Sequence, residues 1–353
     1  MKNFSKKIAI AAIPAVMALS APQAESKILL MSQEGWEVSF DGAANAFLMK
    51  QSGSATADIT EGANGITTFE TAGGGVVNAG TDGIGVVTGL LPNVWGMTLK
   101  APTANGLDTS ARIGFYTHMQ GNQENLGNGL INLRETNFTV AGSFGSVTIG
   151  RSIGIAHQNA ILNDMLLFGV GALTSAGDQS NTSLGRIGLG YLYTDFQPQI
   201  SWTTPGLGPI GFKVGVFDPN DVISVNSAAD ATENVSPRVE AQATFATEAA
   251  GVAANFWLEG SYQNTEFTAA AASTCNAIGT DGTPGSANCD DVDSAGVAFG
   301  TKLSFGNFSL VATGWYGSGV GMRGQHTEGA LDGAGKPFQS YGGYLQGTAD
   351  LGG

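Results

Sequence analysis

Twelve segments of about ten residues alternate in character along this chain, and the connections between them sort by length. In order they are EVSFDGAANAFLMK (37–50), NVWGMTLKA (93–101), TSARIGFYTHMQ (109–120), INLRETNFTVA (131–141), SVTIGR (146–151), GRIGLGYLYTDFQPQISWTT (185–204), GFKVGVF (211–217), SPRVEAQATFAT (236–247), GVAANFWLEGSYQN (251–264), DSAGVAFGTKLSF (293–305), NFSLVATGWYG (307–317) and SYGGYLQGTADL (340–351). Counted from the first segment, the odd connections are long: 51–92, 121–130, 152–184, 218–235, 265–292 and 318–339. The even ones are mostly tight, at Gly142–Gly145, Pro205–Ile210, Glu248–Ala250 and Gly306, with only 102–108 intermediate. A β-sandwich has no reason to sort its loops by parity. An up-and-down barrel in an outer membrane does, with short turns at one end and long loops at the other. The predicted fold is therefore all-β, a transmembrane antiparallel up-and-down β-barrel.

The alternation agrees with period-two strands, and helix-period segments are nearly absent. In NFSLVATGWYG one face carries Phe308, Leu310, Ala312, Gly314 and Tyr316, and the other Ser309, Val311, Thr313 and Trp315. Tyr191 and Tyr193 share a face and are expected in an aromatic girdle at the membrane edge, although a soluble sandwich could use them as core.

The first 24 residues read as an export signal. Lys2, Lys6 and Lys7 precede the apolar run from Ile8 to Leu19, and small residues around Ser20, Ala21 and Ala24 offer cleavage sites. A short membrane anchor is the alternative, but the run falls below the ~20 residues a spanning helix needs. Removing those three lysines from the 15 basic residues leaves 12 against 29 acidic ones, a net of −17, so residues 25–353 form a strongly acidic barrel domain. Nothing basic is clustered outside the N-terminus, which argues against nucleic acid as a partner. Glycine, at 53 of 353 residues, is abundant without a Gly-X-Y period, and collagen is excluded.

Little else suggests chemistry. Cys275 and Cys289 enclose thirteen loop-like residues, a spacing that suits one local disulfide in an exported protein and equally allows two free thiols. Beside them Asp290, Asp291 and Asp293 form a weak candidate calcium site, for which an exposed acidic loop is the commoner explanation. The histidines are only His118, His157 and His326, and no motif pairs them with Ser152 or another serine, so a barrel lipase is not indicated. The glycine-rich stretch 72–85 has no lysine and no strand–helix setting for a phosphate cradle. Neither an enzymatic step nor a cofactor is expected.

In FGSVTIGR (144–151), ISWTTPGLGPIGFKVGVF (200–217), ARIGFYTHMQ and INLRETNFTV the sequence resembles the general porins of Gram-negative bacteria, in order and spacing more than identity. The resemblance implies a trimer of sixteen-stranded barrels in the outer membrane, each with its third long loop folded into its own pore. It runs through the mature chain in order and stops after the twelfth strand, at TADLGG, without the aromatic last residue usual in the family; four strands are expected to be missing. It makes residues 152–184 the inward loop. AILNDMLLFGVGAL would then be apolar because one side packs on the inner wall, while a buried helix of a soluble domain remains the other reading.

The resemblance also implies a constriction where wall arginines face loop carboxylates, conducting small hydrophilic solutes and ions. The alternative within transport is a substrate-selective channel for a particular anion or organic solute, and from other classes an outer-membrane barrel enzyme or a secreted adhesin-like β-protein. The wall candidates are Arg112, Arg134, Arg151 and Arg186; the loop candidates are Asn163, Asp164 and Asp178. A guanidinium on the lipid face at mid-membrane costs ~2–4 kcal/mol, so Arg134 is expected to point inward. Arg151 shares parity with Val147 and Ile149, which should face lipid, unless a bend at Gly150 redirects it.

Overall fold

The computed structural model describes residues 28–51, 83–117, 131–169, 190–206, 208–222, 233–234, 236–266, 291–322, 324–327, 329–331 and 336–351. Among the described residues sixteen strands follow one another: β1 (Ile28–Gln33), β2 (Trp36–Ala43), β3 (Phe47–Gln51), β4 (Gly83–Val87), β5 (Asn93–Lys100), β6 (Asp108–Thr117), β7 (Ile131–Gly142), β8 (Gly145–Ile153), β9 (Phe196–Thr203), β10 (Ile210–Phe217), β11 (Glu233–Asn234), β12 (Arg238–Ala249), β13 (Val252–Glu266), β14 (Val292–Phe305), β15 (Phe308–Ser318) and β16 (Gln339–Ala349). Between β8 and β9 lie the short helix α1 (Gln158–Asn163) and a 3-10 turn (Met165–Phe168). One antiparallel sheet runs β1-β2-β5-β6-β7-β8-β9-β10-β12-β13-β14-β15-β16, with β11 added against β13, while β3 and β4 form a separate hairpin. Among the described residues β1 and β16 do not pair, and the sheet is open there.

Every wall strand pairs with its sequence neighbour in the wall, and the short connections all fall at one end. Two of them, Glu34–Gly35 and Ala250–Gly251, place both central residues at positive φ (52° and 82°; 53° and 77°). That is the turn whose twist matches a two-residue hairpin, and it fixes the register of the strands it joins.

The period of two separates the faces. Val214 and Val216, Leu258, Phe299 and Ile200 lie exposed at mid-strand on the outer face. Aromatic residues flank this apolar band. Trp36, Phe144, Trp202 and the stacked pairs Phe245–Phe256 and Phe305–Phe308 stand at the turn end; Trp95, Tyr262, Tyr316 and Tyr341 stand at the loop end. Such a band between two girdles is the pattern of a strand-built membrane wall. The inner face is polar: Asp41, Thr98, Arg112, Gln199, Ser201, Glu240, Glu259 and Ser261 are all buried.

Three expectations need correction. Residues 37–50 are not one strand, because the chain leaves the wall after Ala43 and β3 pairs with β4. The ladder also begins earlier than expected, with β1, whose residues ILLMSQ do not alternate and are exposed throughout. Finally, Tyr191 and Tyr193 belong to no strand and no girdle. β9 begins only at Phe196, and both tyrosines are buried inside the sheet.

Candidate functional site: the inner wall and the inward loop

After β8 the chain turns off the wall into the space the sheet encloses. The Glu240 carboxylate on β12 accepts the backbone N–H groups of Ile155 (2.6 Å) and Ala156 (3.0 Å), the turn that leads into α1. Glu259 on β13 accepts both the backbone N–H and the side-chain amide of Asn159, at 3.3 and 2.7 Å, and the amide of Gln242 at 2.9 Å. At the other end of the segment the Tyr344 hydroxyl donates to Ala160 O, Gln346 donates to Asn163 O, and Met165 N–H donates to Gln346 Oε1. Within a dozen residues the loop is thus held by β12, β13 and β16, so it crosses the interior.

Packing accounts for the apolar run. Ala160, Ile161 and Leu167 join Leu90, Leu91, Val94, Tyr116, Ile153, Phe196, Tyr191 and Tyr193 in one buried cluster inside the sheet. The backbone of the 3-10 turn adds Leu91 N–H to Leu167 O (3.1 Å) and Leu90 N–H to Gly169 O (3.0 Å). A long connection becomes ordered when its own side chains find such a surface.

A second connection folds in behind it. Gly324 bridges Tyr193, the Gln325 side chain donates to Glu240 at 3.1 Å, and His326 Nε2 lies 3.0 Å from Ser261 Oγ. Asn220 ties this loop to β13 by donating to Gln325 O and Gln263 Oε1. His157, at the start of α1, sets its ring edge-on to Trp315 at 5.7 Å. Burial drives the His157 imidazole down to about 3. His326 is also pushed well below its ordinary range, by burial first and then by nearby Arg238 and His157.

The buried arginines of the wall have close partners. Arg112 on β6 grips Asp41 with both terminal nitrogens (2.7 and 2.9 Å), and its Nε donates to Glu135 at 3.0 Å. The β6–β7 register slips between Gly114 and Phe115, leaving Arg134 as the extra residue of a bulge, so that adjacent Arg134 and Glu135 are both buried. The Arg134 guanidinium lies over Tyr116 (4.8 Å) and Phe196 (5.7 Å) and donates to the Tyr193 hydroxyl. Arg238 stands 2.9 Å from Glu240 and over the Phe217 ring.

Of the residues singled out in the sequence, Arg112 and Arg134 lie on the inner wall, and Asn163 and Asp164 lie in the crossing loop. Among the described residues Asp164 makes no ion pair with a wall arginine. It caps the 3-10 turn through Leu166 N–H (2.8 Å) and accepts the Tyr191 hydroxyl at 2.7 Å. Arg151 pairs with Thr136 and Pro198, which belong to the exposed outer face with Phe138 and Ile200. Gly150 does bend the strand, at φ 118°, but Arg151 stays on that outer face. Arg186, Asp178, Cys275, Cys289, Asp290 and the signal segment lie outside the described residues. Asp293, on the outer face of β14, accepts from Tyr262 and Asn264, while Asp291 is exposed beside it. Among the described residues no group of three or more His, Cys, Asp or Glu is placed to hold a metal ion.

Glu240 and Glu259, which brace the loop, and Arg238, which pairs with Glu240, were not singled out in the sequence. The signal for Arg238 and Glu240 was present as polar residues at every second position in RVEAQATF, and that for Glu259 as the alternation of Glu259, Ser261 and Gln263 in LEGSYQN.

The fold has counterparts among solved structures. The outer membrane channel DcaP of Acinetobacter baumannii superposes with a TM-score of 0.55 at 13% identity, over 91% of this chain and 76% of that one. The anion-selective porin of Comamonas acidovorans gives 0.47 at 15%, over 78% and 69%. Salmonella typhi OmpF in complex with daunomycin gives 0.45 at 15%, over 82% and 67%. No protein-family model matches the sequence, and no curated protein matches it. The likeness is one of fold: an antiparallel up-and-down sheet of the outer-membrane channel type.

Proposed function

We propose that the protein is a Gram-negative outer-membrane porin, a water-filled passage for passive diffusion of small hydrophilic solutes and ions, exported by its N-terminal signal segment and assembled as a homotrimer. The observation that carries this reading is the loop between β8 and β9, which is pinned across a polar inner face by Glu240, Glu259, Tyr344 and Gln346. A soluble β-protein would bury apolar side chains on that face and show water the polar ones. Here the arrangement is inverted, as a wall with lipid outside and water inside requires.

In this account the passage is narrowest beside the crossing loop, with Arg112 and Arg134 in the wall and Asn163 and Asp164 in the loop shaping it. The reading includes no cofactor and no catalytic step. Liposomes carrying the folded protein should swell in iso-osmotic solutions of small sugars at rates that fall steeply with solute size. Swelling no faster than in protein-free liposomes, with the protein demonstrably inserted, would reject the proposal.

A further inference from the structure

Three facts about the inner face combine. The 3-10 turn of the crossing loop presents Met165, Leu166 and Phe168 at 59%, 37% and 40% exposure, while only Leu167 of that turn is buried in the cluster. Together these three neighbouring side chains form an open apolar lip on the loop. Next, the carboxylates at this level are engaged: Asp41 and Glu135 by Arg112, Glu240 and Glu259 by the loop they brace, Asp164 by Tyr191. All five are buried.

The accessible charges are different. Lys213 on β10 pairs with Gln242 and Lys302 on β14 pairs with Asn255, which puts both lysines on the inner face, partly exposed; Lys213 is the more enclosed of the two and lies in the field of Glu240 and Glu259. Among the described residues neither makes an ion pair. Lys302, Asn255 and Ser304 line an open hollow of about 550 Å³ toward the turn end. Glu248, at the rim of that hollow, is the acid a solute would meet there, and it lies near the turn rather than at the loop.

Building on the channel reading above, we propose that the passage selects small organic anions with an apolar body, such as monocarboxylates carrying a short alkyl chain or a single ring. The apolar body rests on Met165, Leu166 and Phe168 while the carboxylate is drawn along by Lys213 and Lys302. The physical terms are separable. Burial of methylenes on the lip favours the anion with the larger apolar body. Lysine supplies a mobile point charge that attracts a carboxylate without locking it, as passage requires.

The test is bi-ionic reversal potential in planar bilayers holding the full-length protein, with sodium chloride, acetate, hexanoate and benzoate as probes. The expected result is permeability to hexanoate and benzoate exceeding that to acetate several-fold, against the order of free diffusion. Replacing Met165 and Phe168 together by serine should remove the difference between hexanoate and acetate. Lys213→Gln with Lys302→Gln should lower anion-over-sodium permeability several-fold for every anion alike. Currents in which acetate outruns hexanoate as in free solution, or which neither pair of substitutions alters, overturn this inference and leave the channel reading standing. Inserted, folded protein that carries no current overturns both.

Discussion

The Tyr191 hydroxyl donates a 2.7 Å hydrogen bond to Asp164 Oδ2, and that contact holds the loop carboxylate at 8% exposure. With Asp164 Oδ1 accepting Leu166 N–H at 2.8 Å, both carboxylate oxygens are engaged within the loop. Asp164→Ala should therefore leave the reversal potential nearly unchanged while making the open-channel current noisier, because the 3-10 turn loses contacts that contribute about 1–3 kcal/mol. Tyr191→Phe should reproduce the noise in weaker form. A clear shift toward anions in Asp164→Asn, with Tyr191→Phe silent, would instead put the carboxylate in the ion path.

Among the described residues Arg112 is the only ion-pair partner of two buried carboxylates, Asp41 and Glu135. Arg112→Ala strands them, and breaking a buried pair from one side typically costs 3–5 kcal/mol. The variant should unfold at markedly lower urea concentration in detergent micelles. Arg112→Lys should fall between it and the parent, since an ammonium keeps the charge but cannot grip Asp41 with two nitrogens.

Acid should loosen the connection that carries His326. Both His326 and His157 are buried and neutral, with His157 pushed to about 3, whereas a solvated imidazole titrates near 6.5. Below the ordinary value the opened loop binds more protons than the packed one, so packing is fully stable above about pH 6.5 and weakens as pH falls below it. Exchange of the His326 amide, which donates to Val320 O at 2.8 Å, should accelerate below pH 6 after correction for the intrinsic rate. His326→Gln should flatten that dependence.

Gly150→Ala tests the strand bend. A Cβ there would sit 2.3 Å from Thr136 O, a backbone atom that cannot swing aside, at φ 118°. The expected cost exceeds the ~1–3 kcal/mol of an ordinary strained residue and falls on the β7–β8 register, measured by the same urea titration.

The outer face makes its own prediction. Leu258, exposed at mid-strand on β13, should tolerate arginine poorly once in a bilayer, at about 2–4 kcal/mol by reversible folding into lipid vesicles. Thr244→Arg, on the inner face of β12, should cost clearly less.

The wall was readable in the sequence because period-two alternation and loop parity are local signals, and each of the twelve segments contains a wall strand, although 37–50 runs past β2 into the separate hairpin and 185–204 is strand only from Phe196. β1 escaped because Ile28–Gln33 lies at a sheet edge with both faces exposed, so nothing forces it to alternate. The outward aim of Arg151 was readable from its parity with Ile149. The burial of Tyr191 and Tyr193 was not, since their partners Asp164 and Arg134 lie 27 and 59 residues away. Nor could sequence show Arg134 and Glu135 facing inward together, which depends on a one-residue slip against β6.

The most direct test of the account is single-channel recording from full-length protein in a planar bilayer under a tenfold potassium chloride gradient. The account predicts discrete conductance steps, closing in groups of three, with a reversal potential of the sign expected for anion preference. Protein that is folded and inserted, shown by heat-modifiable gel mobility, yet passes no current would contradict it.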